Sequence, residues 1–92
     1  MCVLKDSDIN NSLKKMKGWN LNQGLIKKTF LFNSYMEIVD FIYRLAKKAE
    51  KVNHHPDMVV NWCKIEVSFT SHEKKGVTKS CLDMAEQADA VY

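Results

Sequence analysis

The residues of this chain best suited to chemistry are its three histidines, two of which are adjacent. His54 and His55 are followed by Pro56, the only proline, and His72 follows a strand-like run. An imidazole titrates near neutral pH, so a group of these rings can both donate and accept protons. Because Pro56 disfavours the helical region for the residue before it, we expect an extended backbone at His55. The question is whether the three rings share one site.

Metal binding is the first chemistry that a group of histidines suggests. Adjacent side chains in an extended segment point to opposite sides, so His54 and His55 cannot easily chelate one ion. The chain also has neither an HxxxH pair nor a CxxC pair, and zinc sites usually draw their ligands from such spacings. We therefore expect no metal in this site.

A cysteine nucleophile is the second chemistry, and it requires a thiol beside one of the rings. Cys63 is predicted to face inward on a strand, where a free cysteine is usually inert packing. Cys81 is the better candidate because it lies in the first turn of a predicted helix, where a thiolate is stabilised. Nothing in the sequence places Cys81 beside His72, however.

General acid–base catalysis is the third chemistry, and the predicted topology favours it. His54 and His55 lead from a helix into the sheet, and His72 leads from the sheet toward the last helix. In an antiparallel hairpin fold both connections can open on one edge and form a shallow cleft. For each histidine taken singly, the alternative is a ring that only hydrogen-bonds to backbone at the end of a helix or strand.

Hydrophobic periodicity predicts a first helix and then a β-hairpin. Apolar residues at helical spacing indicate a helix from about Ser7 to Lys17, with Ser7 or Asp6 as its cap and lysines in its last turn. The runs Trp19–Leu21 and Leu25–Phe32, with a turn at 22–24 between them, predict the hairpin.

A capping box predicts where the second helix begins. Ser34 can occupy the N-cap position and Glu37 the third helical position, so that each side chain accepts a hydrogen bond from the other's backbone N–H. The helix should continue to about Lys51. Its broad apolar stripe is expected to pack against the sheet and against a second subunit; the stripe consists of Ile38, Phe41, Ile42, Leu45, Ala46 and Ala49.

The last third of the chain predicts two strands and a helix. Apolar and polar residues alternate within 58–71, a run too long for one strand, so we expect a reversal near residues 61–64. Gly76 supplies a turn, and Thr78 caps a helix from Lys79 to about Val91. The order α-β-β-α-β-β-α predicts an α+β fold, in which a four-stranded antiparallel sheet has its helices packed on one face.

Composition places the chain among ordinary globular domains. It has 92 residues, 46% of them hydrophobic and 27% charged, which predicts a single domain over residues 1–92. A net charge of +3 spread in interleaved pairs argues against direct nucleic-acid binding. Three cysteines without CxxC spacing favour a reducing compartment, and neither a signal peptide nor a membrane span is visible. We expect a cytoplasmic protein, with the nucleus as an additional location.

Taken together, several segments resemble the pterin-4a-carbinolamine dehydratases, also called 4a-hydroxytetrahydrobiopterin dehydratases. The resemblance extends from about Trp19 to Ala85, and its most specific part is an HHPD motif followed at the family's distance by TSHxxxGVT. The matching segments are Trp19, Phe30-x-Phe32, Ala49-Glu50-Lys51, His54-His55-Pro56-Asp57, Thr70-Ser71-His72 and Gly76-Val77-Thr78.

The resemblance implies a function as well as a fold. It implies that the chain removes water from a 4a-hydroxytetrahydropterin to give the quinonoid dihydropterin, within the recycling of the pterin cofactor. It also implies a homodimer or homotetramer, and no metal, flavin or nucleotide. A related protein acting on another pterin is an alternative.

Roles for single residues follow from the same resemblance. His54 and His72 would be the principal acid and base, in an order that the sequence does not give, and His55 would orient the pterin or stabilise charge. The remaining residues predicted to bind substrate flank these rings: Asn53, Pro56, Thr70, Ser71 and Glu73.

This chain departs from the family at one position near the predicted site, and the family also suggests a second function. Several family members carry an aspartate where this chain has Cys81, which removes any acidic contribution from that position. Animal relatives also resemble a dimerisation cofactor of a transcription factor, acting through helix two. An interaction module using Phe41, Ile42 and Leu45 is therefore a second hypothesis, although self-association of the same stripe is the default.

Overall fold

Three helices and four strands follow one another in the predicted order along residues 2–92, which the computed structural model describes. The elements are α1 (Asp6–Leu13), β1 (Asn20–Asn22), β2 (Leu25–Leu31), α2 (Tyr35–Val52), β3 (Asp57–Val60), β4 (Lys64–Phe69) and α3 (Lys79–Val91).

The four strands form one antiparallel sheet in the spatial order β1-β2-β4-β3. Phe30 lies opposite Ile65 in the central pair, and Val59 lies opposite Glu66 at the β3 edge. Alternate side chains of β2 and β4 are buried, so each of these strands turns one face toward the core. This arrangement confirms the α+β fold predicted from the sequence.

The hydrophobic core lies between the sheet and the helices. Its fully buried large side chains come from every layer, among them Ile9 from α1, Phe30 from β2 and Phe41 from α2. Tyr92 is exposed but packs on the aromatic edge of this core: its ring centroid lies 5.0 Å from that of Phe30, and its hydroxyl donates a 2.6 Å hydrogen bond to the Leu31 carbonyl.

The first helix is shorter than predicted. It ends at Leu13, and the next turns are closed by bonds that span three residues rather than four, from Lys15 N to Ser12 O and from Met16 N to Leu13 O. This tightening ends the helix before the lysines at 14–17, so they do not occupy its last turn as predicted. The predicted cap is also wrong, because Lys5 is the N-cap and no side chain bonds there.

The hairpin turn lies within the predicted range 22–24 but is one residue shorter, because β1 extends to Asn22. Gln23 and Gly24 both have positive φ angles, of 49° and 80°, as a two-residue turn between antiparallel strands requires. Trp19 therefore precedes β1 and is buried in the core.

The reversal between β3 and β4 falls at residues 61–63, as predicted. Cys63 lies in this reversal, half-buried with its thiol 3.9 Å from the Asn33 carbonyl, and not on the inward face of a strand.

The second helix begins with the predicted capping box. Ser34 Oγ accepts a hydrogen bond from Glu37 N at 3.2 Å, and Glu37 Oε1 accepts one from Ser34 N at 3.1 Å. Phe41 and Leu45 are fully buried in the core, so this part of the stripe packs inward as predicted. The same burial contradicts the hypothesis that these two residues form an exposed surface for a partner. Both α3 and strand β4 of the sheet pack against α2. The exposed apolar side chains of α2 are Tyr35, Met36, Val39, Tyr43 and Val52.

A part-buried ion pair connects the hairpin to the last helix. Lys28 Nζ lies 2.7 Å from Asp89 Oδ1, and Trp19 Nε1 donates a hydrogen bond to Asp89 Oδ2 at 3.1 Å.

Within residues 2–92, no helix is both long and apolar enough to cross a membrane.

Candidate functional site

Strand register brings the two histidine-bearing segments together. Asp57 pairs with Ser68 across the β3–β4 ladder, so the segment before β3 and the segment after β4 leave the sheet at the same edge. A small open cavity of about 270 Å³ lies between them. Its lining contains every residue that the sequence predicted for the site, together with Asp57: Asn53, His54, His55, Pro56, Asp57, Thr70, Ser71, His72 and Glu73.

The end of α2 fixes His54. Asn53 ends the helix in the left-handed conformation, with φ 53° and ψ 47°, and His54 N donates a 3.1 Å hydrogen bond to the Ala49 carbonyl. The chain thus turns sharply out of the helix, and the His54 ring stacks on Phe69 at a centroid distance of 6.1 Å and an angle of 15°. Its Nε2 lies 3.3 Å from the thiol sulfur of Cys81, on α3.

Burial lowers the pKa of His54 below its usual value of 6.5, and the positive charges of His55 and His72 lower it further. Both effects disfavour the imidazolium form of this ring. The neutral form of His54 is therefore favoured near pH 7, and a neutral imidazole has one nitrogen that can accept a proton.

The other two histidines each face a carboxylate. His55 Nε2 contacts Glu50 Oε2, and His72 Nε2 lies 3.3 Å from Asp57 Oδ2. Each carboxylate can accept a hydrogen bond from the ring and pair with it when the ring is protonated. All four of these side chains are well exposed, so such pairs orient the rings more than they stabilise the fold.

Polar groups after β4 hold the loop that carries His72. Thr70 Oγ1 donates a 2.7 Å hydrogen bond to the Gly24 carbonyl in the hairpin turn. Ser71 Oγ accepts one from Lys74 N at 3.0 Å, and the Ser71 backbone bridges to Gly76. Because these two hydroxyls already have partners within the protein, they support the loop. Pro56 and Glu73 line the cavity and take part in none of these bonds.

The sequence analysis did not predict the partners of the three histidines. Glu50 pairs with His55, Asp57 pairs with His72, and Cys81 contacts His54. Glu50 lies in the last turn of α2, five residues before His55 and close to it in the chain, so its pairing with His55 is the one that the sequence could have suggested. The sequence singled out Cys81 but considered it beside His72, and the structure places it against His54 instead.

The arrangement is suited to proton transfer. A ring whose neutral form is favoured by burial and two rings that each face a carboxylate surround one hollow, so three groups able to exchange protons are close together. Among residues 2–92, no group of three or more His, Cys, Asp or Glu side chains is arranged to hold a metal ion. A larger cavity of about 850 Å³ between α1 and α3 contains no histidine, and several of its charged residues already form ion pairs.

Fold and site together define an α+β domain with a histidine-lined cavity at the edge of its sheet. Residues 3–91 match the sequence model of the family described as "Pterin 4 alpha carbinolamine dehydratase". The chain belongs to this family.

Similar proteins carry the same name by inference. An inferred pterin-4-alpha-carbinolamine dehydratase of Sulfurisphaera tokodaii is 37% identical over 89 residues, which cover 97% of this chain and 96% of the relative. An inferred dehydratase of Mycobacterium tuberculosis is 32% identical over 92 residues, covering 100% of this chain and 98% of the relative.

Two solved structures share the fold. A Brucella melitensis protein described as a transcriptional coactivator/pterin dehydratase superposes with a TM-score of 0.93 at 27% identity, over 97% of each chain. A pterin dehydratase-like protein described as a RuBisCO assembly factor of the alpha-carboxysome superposes with a TM-score of 0.66 over 79% of this chain and 84% of its own. At 19% identity, the second likeness concerns the fold alone.

Proposed function

We propose that this protein dehydrates a 4a-hydroxytetrahydropterin, with 4a-hydroxytetrahydrobiopterin as the substrate, to the quinonoid dihydropterin. The observation that carries the proposal is the meeting of three imidazoles around one cavity, in a chain that belongs to the pterin carbinolamine dehydratase family. Pterin is the substrate, and the reaction requires no other cofactor.

The reaction moves two protons and cleaves the bond between C4a and its hydroxyl oxygen. A base takes the proton from N5 of the pterin, the C4a–O bond breaks, an acid gives a proton to the departing hydroxyl, and a C4a=N5 double bond forms. One water leaves, and the enzyme is returned to its starting state by transfer of a proton between base and acid through solvent.

The environments of the rings suggest which histidine does what. His54 is held neutral by burial, so we assign it as the base that takes the N5 proton. His72 faces the Asp57 carboxylate, which can pair with an imidazolium, so we assign His72 as the acid. His55, paired with Glu50, would orient the pterin ring.

The test is a dehydration assay in which a hydroxylase generates the carbinolamine and its loss is followed optically. His54→Ala and His72→Ala should each lower kcat by about 10²–10⁴-fold, the usual contribution of a positioned acid or base. Lys64→Ala, an exposed change at the far end of β4, is the matched control and should keep the wild-type rate. Full activity in both histidine variants, with a wild-type circular dichroism spectrum, would rule out these roles.

Protein interaction is a second candidate function. One observation on a relative and one on this chain favour it. The Brucella melitensis relative is described as a coactivator as well as a dehydratase, and α2 of this chain exposes Met36, Val39 and Tyr43 along one side. These exposed side chains would form the contact surface for a partner protein or for a second copy of this chain. The same assay separates the candidates, because wild-type protein that does not speed dehydration would leave interaction as the better proposal.

A further inference from the structure

The side chain of Cys81 is fully buried and lies against the site from the side of α3. Besides the 3.3 Å contact with His54 Nε2, its sulfur accepts a hydrogen bond from Thr78 N at 3.5 Å and lies 3.6 Å from Thr78 Oγ1. Thr78 is itself buried at the N-terminus of α3. The thiol is therefore held in place by the start of a helix and is directed at the His54 ring.

The contacts of His54 leave one ring nitrogen for a ligand. Phe69 stacks against the ring, and the buried thiol engages Nε2. Within the described part of the chain, Nδ1 makes no hydrogen bond, while His54 lines the cavity. Since the two nitrogens of an imidazole point in different directions, fixing one of them also fixes where the other points.

We propose that Cys81 is a positioning residue for the dehydration: its thiol holds Nε2 of His54, so that Nδ1 is the nitrogen presented to the substrate. This inference rests on the proposed function for its meaning, but the contact itself can be tested without the reaction.

A thiol does this without adding charge, and the other two histidines have charged partners. The titratable groups around His54 are His55 beside it on the α2–β3 connection, Asp57 on β3, His72 and Glu73 beyond β4, and Cys81 on α3. The carboxylates of Asp57 and Glu50 pair with the other rings. A neutral partner orients His54 while leaving it free of the negative charge that would favour its protonation.

The experiment replaces the thiol and observes His54 directly by ¹⁵N NMR of the side-chain nitrogens. In wild-type protein one tautomer of neutral His54 should dominate. Cys81→Ser, which keeps a hydrogen-bonding group, should preserve that tautomer and keep kcat within about 5-fold. Cys81→Ala removes the partner, so the two ring-nitrogen shifts should move toward the averaged values of a free imidazole and kcat should fall more than KM changes.

Cys81→Asp tests the absence of charge. A carboxylate at this distance should raise the pKa of His54 and move the acid limb of the pH–rate profile upward by about 1 unit or more. Cys63→Asp is the matched control, because Cys63 precedes β4 and the site follows it, about 20 Å away at the usual rise of a strand. At that distance salt screens the added charge, and the His54 titration should not move.

The outcomes separate this inference from the proposed function. Changed ring-nitrogen shifts in Cys81→Ala support the positioning role even if wild-type protein lacks dehydratase activity, which would overturn only the proposed function. Unchanged tautomer and unchanged His54 titration in Cys81→Ala and Cys81→Asp, in protein that dehydrates the pterin normally, would overturn the positioning role. If Cys81→Asp does not fold, the alanine and serine variants decide.

Discussion

At the scale of single residues, the site is built from three histidines with three different partners. His54 contacts a thiol, His55 contacts Glu50 and His72 lies near Asp57. An imidazole by itself does not determine whether it gives or takes a proton, because its surroundings set which form is populated. The partners thus place three chemically identical side chains in three different environments within one cavity.

The lowered pKa of His54 predicts a loss of stability in mild acid. The unfolded chain binds a proton at His54 near pH 6.5, whereas the folded protein binds it only at lower pH. The contribution of His54 is therefore fully present above about pH 6.5 and is lost as the pH falls from there toward the folded-state pKa. Below that pKa, no further loss comes from this residue.

Thermal melts of wild-type protein and His54→Gln between pH 5 and pH 8 would check this. The free energy of unfolding of the variant should decrease less steeply over the acid part of this range, because glutamine does not titrate. Equal slopes for the two proteins would show that the folded state does not disfavour protonation of His54.

The sequence could predict the rings of the site but not their partners. The histidines are visible because they stand in the compact motifs HHPD and TSH. Cys81 touches His54 from 27 residues away, and Asp57 meets His72 only because β3 and β4 pair side by side. Such contacts depend on how α3 and the sheet pack together. The spacing of residues within a short segment of the sequence does not predict that packing.

At the scale of elements, local signals placed α2 well and α1 less well. The capping box marks the start of α2 because two side chains and two backbone N–H groups satisfy one another within four residues. No comparable pair exists at α1, where two plausible caps precede the apolar pattern and neither is used. The apolar residues of α2 cover a broad part of the helix surface. Their spacing in the sequence therefore did not show which of them are buried and which are exposed to solvent.

A pair of serine variants would test this contrast. Ser34→Ala removes the acceptor for Glu37 N and should lower the free energy of unfolding by about 1 kcal/mol. Ser7→Ala changes an exposed serine that does not cap α1 and should alter it by less than about 0.5 kcal/mol. Urea denaturation of both variants beside wild type measures the two values; equal losses would contradict the assignment of the caps.

At the scale of the whole molecule, the Asp89 carboxylate connects distant parts of the chain. It receives Lys28 from β2 and the indole N–H of Trp19 from the segment before β1, although it lies near the end of α3. Residues separated by 61 and 70 positions are thereby joined through one partly buried side chain. This contact holds the C-terminal helix to the first half of the sheet.

Removing this carboxylate should cost more than removing a similar one on the surface. Asp89→Ala leaves a part-buried ammonium and a buried indole N–H without their partner, and should lower the free energy of unfolding by about 1–3 kcal/mol. Asp83→Ala breaks only the exposed pair with Lys79 and should cost about 0.5 kcal/mol or less. Urea denaturation of both variants checks the difference, which would disappear if the Asp89 contacts were energetically neutral.

The two tryptophans of this protein lie in opposite surroundings, since Trp19 is 4% exposed and Trp62 is 80% exposed. A collisional quencher such as iodide should therefore extinguish the emission of Trp62 and leave that of Trp19. The remaining light would come from an indole bonded to Asp89 between the sheet and the last helix. Intrinsic fluorescence thus offers a label-free signal for the integrity of the interior, with an internal reference in the same chain.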